Sequence, residues 1–431
     1  LLGSQVIRLP FIPHTSYPHE ILHNWWGNSV YVHPKSGNWA EGLTSYLSDH
    51  LLAEIEGQGD KYRFQELMKY LNYVASDFPL IEFKSRHDMA SQAIGYGKWL
   101  MVLNMLRVEL GNEVFLRSLK DFYTSYKFRF AGYEELRGSF EAISGKNLEY
   151  FFQQWVMTAG APELELTDAN YTPSPAGHTL HIKISQKQTT PPFRLTLPVA
   201  VWFKNSELPH LTTLTIKEAV QTFDLDFPNE PAAVMLDPYY DIFRKLDRLE
   251  APPSIGQTYG SDKVVTLLEE NDNVDYRPFA QSLTGQEEGN SRGKGDMPPG
   301  HSLWVFGKNN EMAEEAITKQ YGVEINEAGV TIEGKSYPWE NHSFVFTVRN
   351  PQDLSSSLTW VVTDLPESIP GLIRKLPHYG KFGYMVFEGA QPTNILKGIW
   401  ATEHVGLMKI FNQGHFTLPP KPPLVNLKPG S

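Results

Sequence analysis

The chain has 431 residues, 41% of them apolar and 20% charged, which suits a globular protein of two to four domains at roughly 150 residues each. Its 38 basic and 49 acidic residues give a net charge of −11, which disfavours a nucleic-acid partner bound through a basic face. It contains no cysteine, so disulfide frameworks, thiolate metal sites, iron–sulfur clusters and thiol nucleophiles are excluded. Any transition metal must be held by His, Asp or Glu.

The chain opens Leu1-Leu2-Gly3-Ser4, with no Met and no basic stretch leading into an apolar one, and so reads as a processed or truncated chain. That reading leans to a periplasmic or extracellular location over a cytoplasmic one. No run of ~18 apolar residues is present to span a membrane. The first chemistry-bearing segment is His19-Glu20-Ile21-Leu22-His23. Two His at i and i+4 share one helical face and can reach a single ion at ~2.0–2.1 Å. The Glu beside the first His can take a proton from water held there. A third protein ligand is needed, and Glu41, in the first turn of the next helix, is well placed to supply it. That helix runs from Trp39 to Ile55, with Leu43, Tyr46, Leu47, His50, Leu51 and Ile55 on one face. Phe64, Leu67, Met68, Leu71 and Val74 repeat the pattern. Further helices are expected over 91–110, 113–125, 132–143 and 147–159, the last stopped by Gly160-Ala161-Pro162.

From 163 the period becomes two. His181 to Ile184, Leu195 to Val201 and Leu214 to Ile216 read as strands of a small β-sandwich over 163–250. Residues 251–300 are expected to form a linker, on the Gly, Glu, Ser and Pro content of 284–300. Gly293-Lys294-Gly295 within it lacks the strand–loop–helix context of a phosphate loop. Beyond it, strands at 303–306, 343–348, 358–362 and 384–387 alternate with helices at 310–321 and 367–375, predicting a small α/β module over 301–417. Leu376 to Lys381 is expected to be a surface loop. An extended Pro-rich tail follows over 418–431.

His19-Glu20-Ile21-Leu22-His23-Asn24-Trp25-Trp26-Gly27-Asn28, followed by Trp39-Ala40-Glu41-Gly42, resembles the M1 family of zinc aminopeptidases, gluzincins related to aminopeptidase N. The resemblance covers residues 5–245. It implies a multidomain α+β protein: a helical, thermolysin-like zinc catalytic domain over 1–162, then the β-sandwich, then the α/β module. It implies one zinc ion held by His19, His23 and Glu41, with Glu20 as general base and a peptide as substrate. The family's oxyanion-stabilising Tyr matches Tyr96, in Gly95-Tyr96-Gly97-Lys98. Asp49, past Glu41 on its helix, is a candidate to accept the remaining N–H of a ligating His. Tyr46, His50, His14 and His33 are read as core or solvated residues, not ligands.

Two features depart from the family pattern. Seventeen residues separate His23 from Glu41 where the family has eighteen, which a one-residue deletion around Lys35-Ser36-Gly37 accommodates. The family's amine-recognising Gly-x-Met-Glu-Asn-type strand lies further upstream than this chain reaches. Aminopeptidase activity is therefore the first expectation. Zinc endopeptidase activity, or a catalytically silent protein that keeps the fold for binding, are the alternatives. Oligomeric state is left open.

Overall fold

The computed structural model describes residues 8, 12, 16–268, 273–284, 300–401 and 406–425. Among them the chain forms two units: Leu1–Leu246 with Gly406–Ser431, and Asp247–Val405. The second unit is thus inserted into the first. His14 and Gly293-Lys294-Gly295 lie outside the described residues.

The first unit begins with α1 (Ser16–Leu22), β1 (Tyr31–Val32) and α2 (Trp39–Ser45). A π turn, Tyr46–His50, joins α2 to α3 (Leu51–Ile55), and α4 spans Gly59–Tyr73. After α5 (Met89–Gln92) a second π turn, Ala93–Lys98, leads into α6 (Trp99–Leu110) and α7 (Asn112–Tyr126). Strand β2 (Phe130–Ala131) pairs in parallel with β1, and α8 (Tyr133–Ser144) and α9 (Glu149–Val156) complete the helical part. The apolar helix α6 forms its centre, with Trp99 through Leu103 all buried.

The expected helix over Trp39 to Ile55 is continuous, but its π turn rotates the buried face. Tyr46 and His50 are buried as expected, but Ser48 and Glu54 are buried off the expected stripe, while Leu47, Leu51 and Ile55 on it are only half-buried. A period of 3.6 carried through a wider turn assigns the residues beyond it to the wrong face. Buried Glu54 receives both hydrogen bonds from Arg107 Nη1, at 2.7 and 2.9 Å.

The sandwich has strands β3 (Leu164–Ser174), β4 (Gly177–Gln186), β5 (Leu195–Phe203), β6 (His210–Ile216), β7 (Val220–Phe227) and β8 (Pro231–Leu236). One sheet has the order β3-β4-β7. The order of the other is a final short strand (Met408–Ile410), then β8, β5 and β6. Strand β4 buries Leu180, Ile182 and Ile184, the alternation expected where one face meets the core. Strand β5 is buried on both faces near its end, because Phe416 and Leu418 from the chain's last segment pack on Ala200, Trp202 and Ala233. Arg63 of α4 ties helices to sandwich by donating to the carbonyls of Tyr239 and Tyr240.

The second unit departs from the expected boundaries. Residues 255–284, read as linker, carry α10 (Ile255–Tyr259), β9 (Val264–Leu268) and α11 (Arg277–Thr284). The linker reading rested on the composition of 284–300, most of which lies outside the described residues, and it overlooked the apolar run at 264–268. There follow β10 (Ser302–Phe306), α12 (Glu311–Tyr321), the hairpins β11 (Glu324–Asn326), β12 (Gly329–Ile332) and β13 (Lys335–Pro338), then β14 (His342–Asn350), β15 (Asp353–Thr363), α13 (Ile369–Lys375), β16 (Tyr384–Glu388) and β17 (Thr393–Gly398). The mixed sheet has the order β17-β16-β14-β15-β10-β9, with β9, β10 and β15 parallel. Leu376–Tyr379 is a short 3₁₀ turn with Leu376 buried, so the expected surface loop is anchored at its first residue. The final strand, β18 (Met408–Ile410), belongs to the first unit, which places the end of the α/β unit before the expected 417.

One close approach holds α2 to the second π turn. A Cβ on Gly42 would lie 2.7 Å from Trp99 Cδ1 and 2.9 Å from the Gly95 carbonyl oxygen, and a Cβ on Gly95 would lie 2.2 Å from the Phe83 ring. Gly42→Ala is expected to lower unfolding free energy by about 1–3 kcal/mol through overpacking. Equilibrium denaturation of the variant against the parent measures this, and an unchanged midpoint would refute the seam as a constraint.

Candidate functional site

The residues singled out in the sequence meet in one cleft. His19, at the last turn of α1, and His23, one residue past its end, present their Nε2 atoms 3.1 Å apart. Glu41 Oε2, from the first turn of α2, lies 3.5 Å from His19 Nε2 and 3.3 Å from His23 Nε2. These three are the one His/Asp/Glu group among the described residues with donor atoms close enough to hold a metal ion. Ligands at ~2.1 Å in a tetrahedron stand ~3.4 Å apart, so the observed separations fit an ion of that size and geometry.

Each imidazole is oriented by its other nitrogen. His19 Nδ1 is 2.8 Å from Asp49 Oδ2, and His23 Nδ1 is 2.9 Å from the Trp26 carbonyl oxygen. With N–H placed on Nδ1, both Nε2 lone pairs face the shared point. The Trp26 carbonyl is set by its surroundings: the indole is buried between Trp39, Phe122 and Tyr123. Gly27, at φ +104°, then turns the chain so that its N–H donates to the Val30 carbonyl. The Trp-x-Gly-Asn extension noticed in the sequence thus holds His23.

Asp49 stands eight positions after Glu41. In a regular α-helix, i and i+7 share a face while i+8 is displaced by about 80°. The π turn at Tyr46–His50 takes up one extra residue, so Asp49 and Glu41 approach the same imidazole. The second π turn carries Tyr96, whose ring stacks 6.3 Å from that of His19 and lies 5.9 Å from Phe83. Tyr96 lies close enough to Glu41 for each to shift the other's titration. Glu20 lines the same cleft and is near enough to Tyr96 to act on it electrostatically. The cleft encloses about 1010 Å³ and is also lined by Tyr62, Glu66 and Lys69 of α4. Sequence reading passed over these three. They form a polar row at i, i+4 and i+7 beside the apolar stripe of α4, and that row was the available signal. His33 is exposed and accepts from the Lys35 N–H, while Tyr46 and His50 are buried behind the site.

With no ion bound, the cluster holds charge of both signs. Burial pulls His19 down, but hydrogen bonds and charges from Asp49 and Glu41 outweigh it and raise the imidazole to about 9. His23 is raised in the same way, burial being outweighed by Glu41 and the Trp26 carbonyl. Burial pushes Glu41 up, but hydrogen bonds from the two imidazoles prevail and bring it down to about 2. Burial, reinforced by Glu41 and Glu20, raises Tyr96, which keeps it a neutral phenol able to donate.

Two imidazoles, a carboxylate, an adjacent second carboxylate and a neutral phenol in one cleft define a site suited to metal-assisted hydrolysis. A sequence profile described as "Peptidase family M1 domain" matches residues 16–155. That segment is similar to peptidase family M1. The chain is 25% identical over 159 residues to "Aminopeptidase 2, mitochondrial" of Saccharomyces cerevisiae, covering 35% of this chain and 17% of that protein. It is 24% identical over 220 residues to "Alanine/arginine aminopeptidase" of the same yeast, covering 48% and 25%. It is 24% identical over 153 residues to "Probable aminopeptidase 1" of Sulfurisphaera tokodaii, covering 33% and 20%. The chain therefore spans a quarter or less of the length of these relatives. No helix among the described residues is long and apolar enough to cross a membrane.

The cluster predicts a pH dependence for protein stripped of metal by a chelator. His19 binds its proton more tightly folded than unfolded. Its contribution to stability is therefore full below about pH 6.5 and lost as pH rises through about 9. Thermal unfolding of stripped protein is expected to show a midpoint falling over that window, and His19→Ala is expected to flatten the fall. An identical slope in that variant would show that the cluster does not carry it.

Proposed function

We propose that this chain carries a zinc-dependent peptidase site and that the protein containing it removes N-terminal residues from peptides. The observation that carries the reading is the convergence of His19 Nε2, His23 Nε2 and Glu41 Oε2 at 3.1–3.5 Å, with Glu20 and Tyr96 on the same cleft. The family match over residues 16–155 and the aminopeptidase names of the relatives support it.

In this reading His19, His23 and Glu41 hold the ion, and Asp49 and the Trp26 carbonyl fix the two rings. Zinc bound there supplies Lewis acidity toward a peptide carbonyl and lowers the pKa of a water. Glu20 takes the proton from the attacking water and delivers it to the leaving amine as the C–N bond breaks. The Tyr96 hydroxyl, held neutral, donates a hydrogen bond to the oxygen that gains negative charge in the tetrahedral intermediate. The cleft is lined by Glu20, Glu41, Asp49 and Glu66 against the single lysine Lys69, which pairs with Glu66, and this acid-rich lining favours a cationic group such as a peptide's free amine over an acidic one.

Glu20→Gln is expected to retain stoichiometric zinc by elemental analysis while peptide hydrolysis falls about 100- to 10,000-fold. Wild-type turnover in that variant would sink the assignment of the base. A protein that holds no zinc and hydrolyses nothing would favour the silent, binding-only alternative. Exopeptidase action is checked separately with paired free and N-acetylated peptides on the intact protein: cleavage of both at similar rates would make it an endopeptidase.

A further inference from the structure

The π turn that presents Tyr96 to the cleft ends in Lys98, whose side chain is wholly buried. Tyr96 and Lys98 are two residues apart, so they leave the turn on roughly opposite faces. The Lys98 ammonium donates to Asp77 Oδ2 at 2.8 Å, to the Gly160 carbonyl at 3.1 Å and to the Thr158 carbonyl at 3.5 Å. Asp77 is itself saturated: Oδ2 also accepts from the Gly160 N–H at 2.5 Å and the Tyr70 hydroxyl at 3.0 Å, while Oδ1 accepts from the Phe78 N–H at 2.8 Å. The ammonium sits over the Phe243 ring at 5.6 Å.

Such a pair is a poor device for stability alone. Removing two charges from water costs several kcal/mol, and apolar replacements of buried pairs are often neutral or stabilising. What the charges add is directed, saturated geometry. Here they tie the π turn to the segment after α4 and to the loop closing the helical part, three pieces of chain far apart in sequence. A π turn is a rare departure from the helix around it, and an outside tether favours it over the regular helix. On the cleft side Tyr96 has the Phe83 ring and Glu41 beside it, and the same ring packs on the Gly95 backbone, so the turn is held before Tyr96 by packing and after it by the ion pair.

We propose that the Lys98–Asp77 ion pair is a positioning element for Tyr96, holding its hydroxyl where it serves the reaction. This rests on the oxyanion role given to Tyr96 above. Lys98 touches neither substrate nor metal, and its effect passes entirely through the tyrosine.

The test is a cycle on the intact, zinc-loaded protein with a peptide substrate, reading kcat and KM separately. Lys98→Met is combined with Asp77→Asn so that no lone charge is left buried. In the parent, the pair of changes is expected to lower kcat about 10- to 100-fold with KM within about twofold. In a Tyr96→Phe background the same pair is expected to cost less than about threefold, because the hydroxyl it positions is gone. Equal losses in both backgrounds, or no loss in the parent, would overturn the proposal. Tyr96→Phe alone separates the two assignments. If it turns over like the parent, the oxyanion role fails and takes the tether with it; if it is slow but the cycle is additive, the tether alone fails. Should the paired variant not fold, Asp77→Asn alone, which keeps the side chain's shape but removes the charge that holds the ammonium, replaces it in the same comparison with the same criteria.

Discussion

Everything around the cleft depends on bringing two imidazole nitrogens and one carboxylate oxygen within 3.5 Å of a common point. Without an ion that arrangement is electrostatically awkward, since two ring nitrogens 3.1 Å apart cannot both carry protons toward each other. It persists because the other nitrogen of each ring is spoken for. Asp49 takes one and the Trp26 carbonyl the other, and both are set by deeper packing. Trp26 is locked among aromatic rings. Trp39, which starts the helix of Glu41, donates its indole N–H to the Ala131 carbonyl, and its own carbonyl accepts from the Trp99 indole. The site is held by tryptophans whose indoles are buried away from the cleft.

The two π turns serve the same end. One residue inserted in the helix after Glu41 restores Asp49 to the imidazole, and the other turn carries Tyr96 out to meet Glu41. The second lies at the close approach of Gly42 and Gly95. A wider turn offsets a side chain by a fraction of a helical turn without breaking the helix, a finer adjustment than any loop provides.

How far the sequence discloses this follows from the range of each signal. His19, Glu20 and His23 are legible because their spacing is local and their residue types are chemically restrictive. Glu41 and Tyr96 are legible through the motifs around them. Asp49 was in view, but the periodicity that flagged it assumed a regular helix, and the same assumption put Leu51 and Ile55 deeper than they lie and left Glu54 unnoticed. The π turns themselves leave no periodic trace, since each is a single-residue event within a helical pattern. Strands β7 and β8 escaped because they pair with strands distant in the chain, and β3 because it buries only Leu164 and Ala169 and so shows no apolar alternation. The α/β unit's true start was hidden by reading a low-complexity stretch as the whole boundary. The return of residues 406–425 to the first unit could not be read locally at all, because it is fixed by pairing with β8 and by Phe416 and Leu418 on Trp202.

That return matters for the ground beneath the site. Lys421 reaches Asp241 at 2.7 Å, and the Leu424 N–H donates to Glu54, the carboxylate that also holds Arg107. Arg107 donates to the Tyr46 hydroxyl, Asn104 to Asp241, and Arg63 to His50 on the π turn beside Asp49. Burial and the nearby Arg63 and Arg107 hold His50 well below its usual range, so it stays a neutral acceptor for Arg63. A wholly apolar layer there would pack equally well in many slightly different arrangements. A saturated polar layer admits few, because each displaced donor leaves a buried partner unpaired at about 1–3 kcal/mol. The helix of Glu41 and Asp49 therefore rests on a layer that tolerates little drift. Part of that layer is supplied by the last residues of the chain, after a whole α/β unit has intervened.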